Sequence, residues 1–508
     1  MPRFKPVDYS PRFLAVDLSR QILPGTFEYA LHHLLDHEID LSEIDSRYSN
    51  DEVGASAYEP RVLLKLILLA YCHGIVSSRA IEAACRNNVV FMAISGDAQP
   101  HYSTLATFVS SLGEAVSKVF TQVLVICERQ GLIGRQMFAI DGVKLPSNAS
   151  KANSGKRKDF MRQMAKMEQA VQRLLNKHCD NDAAEAQTQL TQREQRQIER
   201  LSREARQIHD WLAQHPKERK SAKGQVRLSN RTDNESAKMP TSKGVVQGYS
   251  GVAAVDEKHQ VIVEAQAHGS GSEQELLALM VDGLAPITTP STVLTADSGY
   301  YSKDNLKELE ARGIEAFIPD NGYRKRDSRY IDQQQHKAKP DALWDKSPKS
   351  NKPQRFRPGD FRVAEDFSHC ICPAGKRLYR NGNNCNIGGY RAVKFTSAKR
   401  DCEKCPLRAQ CLRHPQRSQV RQVAIFTGKH AHAEETASER MRRKIDTEQG
   451  REMIGRRFAT VEPVFGNLRA NKKLNRFTLR GRAKVDAQWK LYCLVHNIEK
   501  LAHNGYAR

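Results

Sequence analysis

The sequence contains no apolar run long enough to cross a bilayer. Its most apolar stretch, Leu63 to Ala70, is short and interrupted by Lys65, whereas a spanning helix needs about 20 apolar residues. The segment Met1 to Arg20 lacks the apolar core of a secretory signal. An intracellular protein with no membrane partner is therefore expected. Hydrophobic residues make up only 39% of the chain, below the usual share for a soluble domain, so some segments must stay solvated. Acidic residues are also scarce: 58 Asp and Glu face 80 Lys and Arg, for a net charge of +22. That excess points to a polyanionic partner, with nucleic acid the obvious phosphodiester. In a reducing compartment the 11 cysteines favour metal binding or buried thiols over disulfides.

At 508 residues the chain has room for about two to four domains. Residues 1–130 read as a helical N-terminal domain suited to DNA binding or to plain packing. Glu59-Pro60 opens one helix, closed by Gly74; Ser77 or Ser78 caps a second through Asn87; Ser103 caps a third that runs past Val119. Residues 131–320 and 450–508 read as a mixed sheet with helices on both faces. Within them, Val245 to Val255 and Gln260 to Ala267 form a hairpin, and Ser272 to Leu284 a helix. The run Thr292 to Asp297 ends a strand, a helix follows from about Ser302, Ile314 to Ile318 is a short strand, and a last helix spans about Lys484 to His503.

A helical hairpin is inserted at about 155–222. Met161, Met164, Met167, Val171 and Leu174 mark the packing stripe of its first helix. Ile198, Leu201, Ala205, Ile208 and Leu212 mark the second, with a turn at Asp180-Asn181-Asp182 and a stop at Pro216. Residues 321–449 form a basic loop and a cysteine-rich insert.

Three acidic residues carry the chemistry. Asp141 ends the apolar run Phe138-Ala139-Ile140. Asp297 ends Val293-Leu294-Thr295-Ala296. Glu462 lies in a basic region, followed by Pro463. Carboxylates at the ends of buried strands are held rigidly at a sheet edge. Three that converge can hold two Mg²⁺ ions for phosphoryl transfer. Arg457, Arg469, Lys472, Lys473 and Arg476 flank Glu462 and are candidate phosphate contacts.

These segments resemble bacterial insertion-sequence transposases of the DDE class, and among them the eleven-eighty-two group. Phe-Ala-Ile-Asp-Gly at 138–142 resembles the first-Asp strand, Ala-Asp-Ser-Gly-Tyr-Tyr-Ser at 296–302 the second-Asp segment, and Arg-Phe-Ala-Thr-Val-Glu-Pro-Val-Phe-Gly-Asn-Leu-Arg at 457–469 the Glu signature. Tyr-Glu-Pro-Arg-Val-Leu-Leu-Lys at 58–65 and Ser-Ser-Arg-Ala-Ile-Glu at 77–82 resemble the preceding helical domain. The related signature often has lysine seven residues after its Glu; here Arg469 replaces it, a planar fork in place of a point charge, and Lys472 and Lys473 are close enough in sequence to share its role.

The resemblance implies an α/β, RNase H-like core with Asp141, Asp297 and Glu462 as catalytic ligands of Mg²⁺ or Mn²⁺. It implies metal-dependent cleavage and strand transfer of double-stranded DNA, both element ends and target. It also implies a homo-oligomer on DNA in the bacterial cytoplasm, associated with the nucleoid. Another RNase H-like nuclease and a catalytically inactive or repurposed DNA-binding protein are the alternatives.

The cysteines give a second signal. Cys402-x2-Cys405 and Cys411, preceded by Cys370-x-Cys372, suit tetrahedral zinc. The expected ligands are Cys372, Cys402, Cys405 and Cys411, with Cys370, Cys385 and His414 as competitors and unliganded thiols as the plain alternative.

Overall fold

The computed structural model describes residues 15–48, 56–182, 192–221, 224–241, 244–330, 355–387, 389–429 and 435–506. The chain divides into two compact units, Met1–Tyr323 with Met441–Arg508, and Arg324–Arg440.

The larger unit is built on a mixed sheet of β1 (Met137–Pro146), β2 (Ala237–Thr241), β3 (Gly244–Asp256), β4 (Ile262–His268), β5 (Val293–Ala296) and β6 (Ala316–Phe317). The long β3 runs antiparallel to β1, with Asp141 opposite Ala253, and its other edge pairs antiparallel with both β2 and β4. On the other side of β1 the direction changes. β5 is parallel to β1, with Ile140 opposite Ala296, and β6 is parallel to β5. Met137 to Ile140 are all buried, as a central strand covered on both faces requires.

Helices α1 (Phe27–His37), α2 (Pro60–Cys72), α3 (Ser78–Asn87), α4 (Val89–Ser95), α5 (Tyr102–Ser111) and α6 (Ala115–Arg129) precede the sheet, with a single helical turn at Ser42–Asp45 between the first two. Pro60 opens α2 at a position where its missing N–H costs nothing. The expected third helix is two, because Gly113 at φ +52° turns the chain between α5 and α6. The inserted hairpin is α7 (Arg157–Asp182) and α8 (Gln192–Gln214). The turn expected at 180–182 is helical, and residues 183–191 lie outside the described set. The hairpin seam is Phe160, Ile208 and Leu212, flanked by Met164, Met167 and Trp211; Met161, expected in it, is exposed.

Helices α9 (Leu277–Leu284) and α10 (Lys303–Ala311) follow β4 and β5, and α11 (Glu448–Gly466) and α12 (Arg482–His503) close the unit. In α12 nearly every residue from Leu491 to Ile498 is buried. A helix apolar on all sides must be covered on all sides: α12 packs on β3 and β4 and also on α1, α2 and α6. The Trp489 indole lies on Gly251, where a Cβ would stand 3.0 Å from the ring, and its Nε1 donates to Val252 O at 2.9 Å. Tyr492 stacks on Tyr71 with ring centroids 4.4 Å apart. The N-terminal helices thereby share one core with the sheet.

The smaller unit holds an antiparallel sheet that the sequence reading did not foresee: β7 (Arg362–Val363), β8 (His369–Ile371), β9 (Arg377–Ile387), β10 (Tyr390–Ser397) and β11 (Gln422–Lys429), adjacent in the order β11-β10-β9-β8-β7. Its core is Phe361, Cys370, Leu378, Val393, Phe395 and Val423. Of the expected loop before it, 331–354 lie outside the described residues. Among the described residues no single helix is long and apolar enough to cross a membrane.

Candidate active site

Because β1 and β5 are parallel neighbours in register, Asp141 and Asp297 lie side by side, each one residue beyond the matched pair Ile140 and Ala296. Asp297 follows the end of β5, whereas Asp141, expected at a strand end, lies within β1, which continues to Pro146 against β3. Each carboxylate is oriented by a backbone amide. Asp141 Oδ1 accepts from Gly142 N at 2.8 Å, and Asp297 Oδ1 accepts from Gly299 N at 2.8 Å. Burial pushes the Asp141 carboxyl above the usual carboxylate range. The Arg457 guanidinium and the Gly142 amide oppose this, and the charges of Asp297 and Glu273 add to it. Tyr300, fully buried, is pushed well above the usual phenol range by burial and then by Asp141, Glu273 and Asp297.

Arg457 was expected at a DNA phosphate. It is 2% exposed, with Nη2 2.9 Å from Asp141 Oδ2 and 3.5 Å from Ile140 O. It lies on the face of α11 that also buries Met453, Ile454, Thr460 and Val464, so helical periodicity turns it inward. Lys472 is likewise buried at 3% exposure and paired with Glu499 at 2.7 Å. Arg469, Lys473 and Arg476 are exposed.

Glu462 sits on α11, five residues beyond Arg457 and on the outer side of the helix. It is exposed. Pro463 follows it inside the helix and cannot donate to Ala459 O; Gln260 Nε2 supplies that bond at 3.1 Å. The Phe465 ring stacks on Trp489 with centroids 6.2 Å apart, and the helix continues as a π-helical turn, Asn467–Asn471. The structure thus juxtaposes Asp141 and Asp297 and leaves Glu462 on the neighbouring helix facing solvent.

Among the described residues no group of three or more His, Cys, Asp or Glu side chains is drawn together as a ready metal-holding set. The donors nonetheless fit a hard divalent cation, which takes few carboxylates and keeps its waters. The two Asp carboxylates are oxygen donors, and beside them the Tyr300 hydroxyl is buried without a hydrogen-bond partner. Sequence reasoning missed Glu273, which pairs with Lys144 at 2.8 Å next to this cluster; its only sequence trace is Gly299, a residue small enough to let another group approach.

In the smaller unit, Cys372, Cys402, Cys405 and Cys411 line one cavity, with Lys376, Arg408 and Arg421 also in its walls. Burial raises the Cys411 thiol; Arg421 opposes this, and Cys402, Cys372 and Cys405 reinforce it. Cys370, a competitor, is fully buried in the sheet core instead. Arg408 ties the cysteine loop together by donating to Cys402 O at 2.7 Å, Pro415 O at 2.9 Å and Ser418 O at 2.8 Å.

Two family models match the chain. A transposase DDE domain matches residues 371–502, which include the four cavity cysteines and Glu462. A transposase domain, DUF772, matches residues 16–111. Together the two matches indicate an insertion-sequence transposase of the DDE class. The strands bearing Asp141 and Asp297 lie between the two matched segments. No curated protein and no solved structure gives a match.

Proposed function

We propose that this transposase, closest to the eleven-eighty-two group, binds the ends of its element as double-stranded DNA, cleaves them and joins them to target DNA. The observation that carries the reading is the placement of Asp141, midway along β1, beside Asp297, just past the end of the parallel neighbour β5. The sheet supports it: an antiparallel β4-β3-β1 meander extended by parallel β5 and β6 suits the RNase H-like core that the resemblance implies. Glu462, on the helix against that sheet, completes the proposed catalytic set. Bound Mg²⁺ or Mn²⁺ would supply charge neutralisation at the attacking and leaving oxygens.

The residues have separable roles. Asp141 and Asp297 fix the reaction point through amide-oriented carboxylates. Arg457 holds Asp141 in place from the buried side. The exposed Arg469, Lys473 and Arg476 meet phosphates and position the duplex without reading sequence. Two ends must be brought together, so the working form on DNA is a homo-oligomer, acting in the cytoplasm on nucleoid DNA. Cys372, Cys402, Cys405 and Cys411 hold a structural zinc that stabilises the smaller unit. Their common cavity and the Cys402-x2-Cys405 spacing support this.

The test is incubation of the full chain with a duplex carrying the element's end, a target duplex and Mg²⁺. Free 3′-OH ends and joined products are expected. Binding without cleavage would make the chain a repurposed DNA-binding protein, and cleavage without joining would make it a nuclease.

A further inference from the structure

The turn Glu273–Glu275 between β4 and α9 packs against the Ser298–Tyr300 turn that follows β5. Glu273 Oε2 lies so close over Gly299 that a Cβ there would overlap it, and the same empty position is 2.9 Å from Asp297 Oδ1. Glu273 and Asp297 thus crowd one glycine, an approach that only a residue without a side chain permits. Asp141 is the third carboxylate within range, feeling the charges of both. Like charges this close are unfavourable unless cations offset them. Arg457 neutralises Asp141 at 2.9 Å and Lys144 neutralises Glu273 at 2.8 Å. Asp297 has no ion-pair partner among the described residues.

An independent observation points to a missing ligand. The Tyr300 hydroxyl is fully buried, has no hydrogen-bond partner, and stands 3.2 Å from where a Gly142 Cβ would be, within the field of Asp141, Glu273 and Asp297. A buried hydroxyl left unbonded is costly. A metal-bound water or a phosphate oxygen arriving among the carboxylates would satisfy it.

We infer that Glu273 is a fourth carboxylate of the site, binding the same divalent cation as Asp141 and Asp297, with Lys144 as the counter-ion that holds it in the metal-free protein. This rests on the functional reading above. Glu273 joins the site from the loop before α9, and Lys144 three residues past Asp141 on β1 releases it when the metal takes over its charge.

The experiment is Mn²⁺ titration of the full chain followed by electron paramagnetic resonance, without DNA, for the parent, Glu273→Gln, Asp297→Asn and Lys144→Met, each checked for parent-like melting. Glu273→Gln should weaken Mn²⁺ binding by at least about tenfold, the lower end of what even indirect partners of a metal site cost. Asp297→Asn should weaken it too, and Lys144→Met should strengthen it. Unchanged binding in Glu273→Gln beside weakened binding in Asp297→Asn overturns this inference and leaves the functional reading standing. Unchanged binding in Asp297→Asn, or no uptake by the parent, overturns both. Should Glu273→Gln fail to fold, Lys144→Met decides: unchanged or weaker binding assigns Glu273 only to tying its turn to β1.

Discussion

Arg457 Nη2 lies 2.9 Å from Asp141 Oδ2, joining the helix of the Glu signature to the first-Asp strand. The arginine is almost fully buried, while the Asp141 side chain keeps 27% of its surface exposed. Breaking a fully buried pair costs about 3–5 kcal/mol, and the residual exposure lowers that. Arg457→Met should therefore destabilise the chain by roughly 2–3 kcal/mol in urea unfolding, with little change in the salt dependence of DNA binding. Unchanged stability with a reduced salt slope would return Arg457 to the DNA surface.

The exposed cations after Glu462 should behave differently. Replacing Arg469, Lys473 and Arg476 by alanine should weaken binding to end and random duplexes alike. Each lost phosphate contact should reduce the log–log salt slope by roughly 0.9. Lys472→Ala should instead lower stability, because it strands Glu499. A salt series on both variants separates the two roles, and an unchanged slope in the triple variant would make these cations a solvated face.

The two groups of cations looked alike in sequence, and the reason shows what was legible. Short apolar runs marked β1 and β5, and helical periodicity marked α2, α3, α10 and α12, because burial writes a repeating pattern. The break at Gly113 was hidden because apolar residues continue in helical spacing through Leu105, Phe108, Leu112, Val116 and Val119. The sheet of the smaller unit escaped notice because β9 is rich in Arg, Asn and Gly, and Tyr379, Tyr390 and Phe426 are exposed. The apolar runs before Asp141 and Asp297 marked two positions that the sheet places side by side, but which face of α11 each charge occupies, and the approach of Glu273 over Gly299, depend on tertiary packing.

His496 carries a pH prediction. Burial lowers its pKa to about 4, against 6.5 for the free side chain, and the buried ring accepts from Asn467 Nδ2 at Nδ1 and donates from Nε2 to Gln260 O. The unfolded chain gains a proton near pH 6.5, while the folded chain resists until about pH 4. Stability from this residue is therefore intact above pH 6.5 and lost as pH falls, by roughly 3 kcal/mol in all. His268 is lowered in the same direction by burial and adds to the trend. Melting curves from pH 7.5 to 4.5 should show a shallower acid decline for His496→Gln than for the parent. Parallel curves would contradict the assignment.

The cysteine cavity predicts about one tightly held zinc per chain. Cys405→Ser should lose the metal and loosen amide protection in β9 and β10, since a structural metal is part of the folding energy of its unit. Cys370→Ser should keep the zinc, because its side chain lies in the sheet core. Elemental analysis of the three proteins tests this, and a zinc-free parent would leave ordinary thiols.

The central claim is that Asp141, Asp297 and Glu462 act together in DNA cleavage, and Mg²⁺-dependent cutting of an element-end duplex tests it most directly. Asp297→Asn and Glu462→Gln should each keep DNA affinity within about threefold, as surface changes away from binding contacts usually do. Each should lose cleavage by at least about 1000-fold, because the amide keeps the shape but not the charge that holds the metal. Cleavage near the parent rate in either variant would contradict the account.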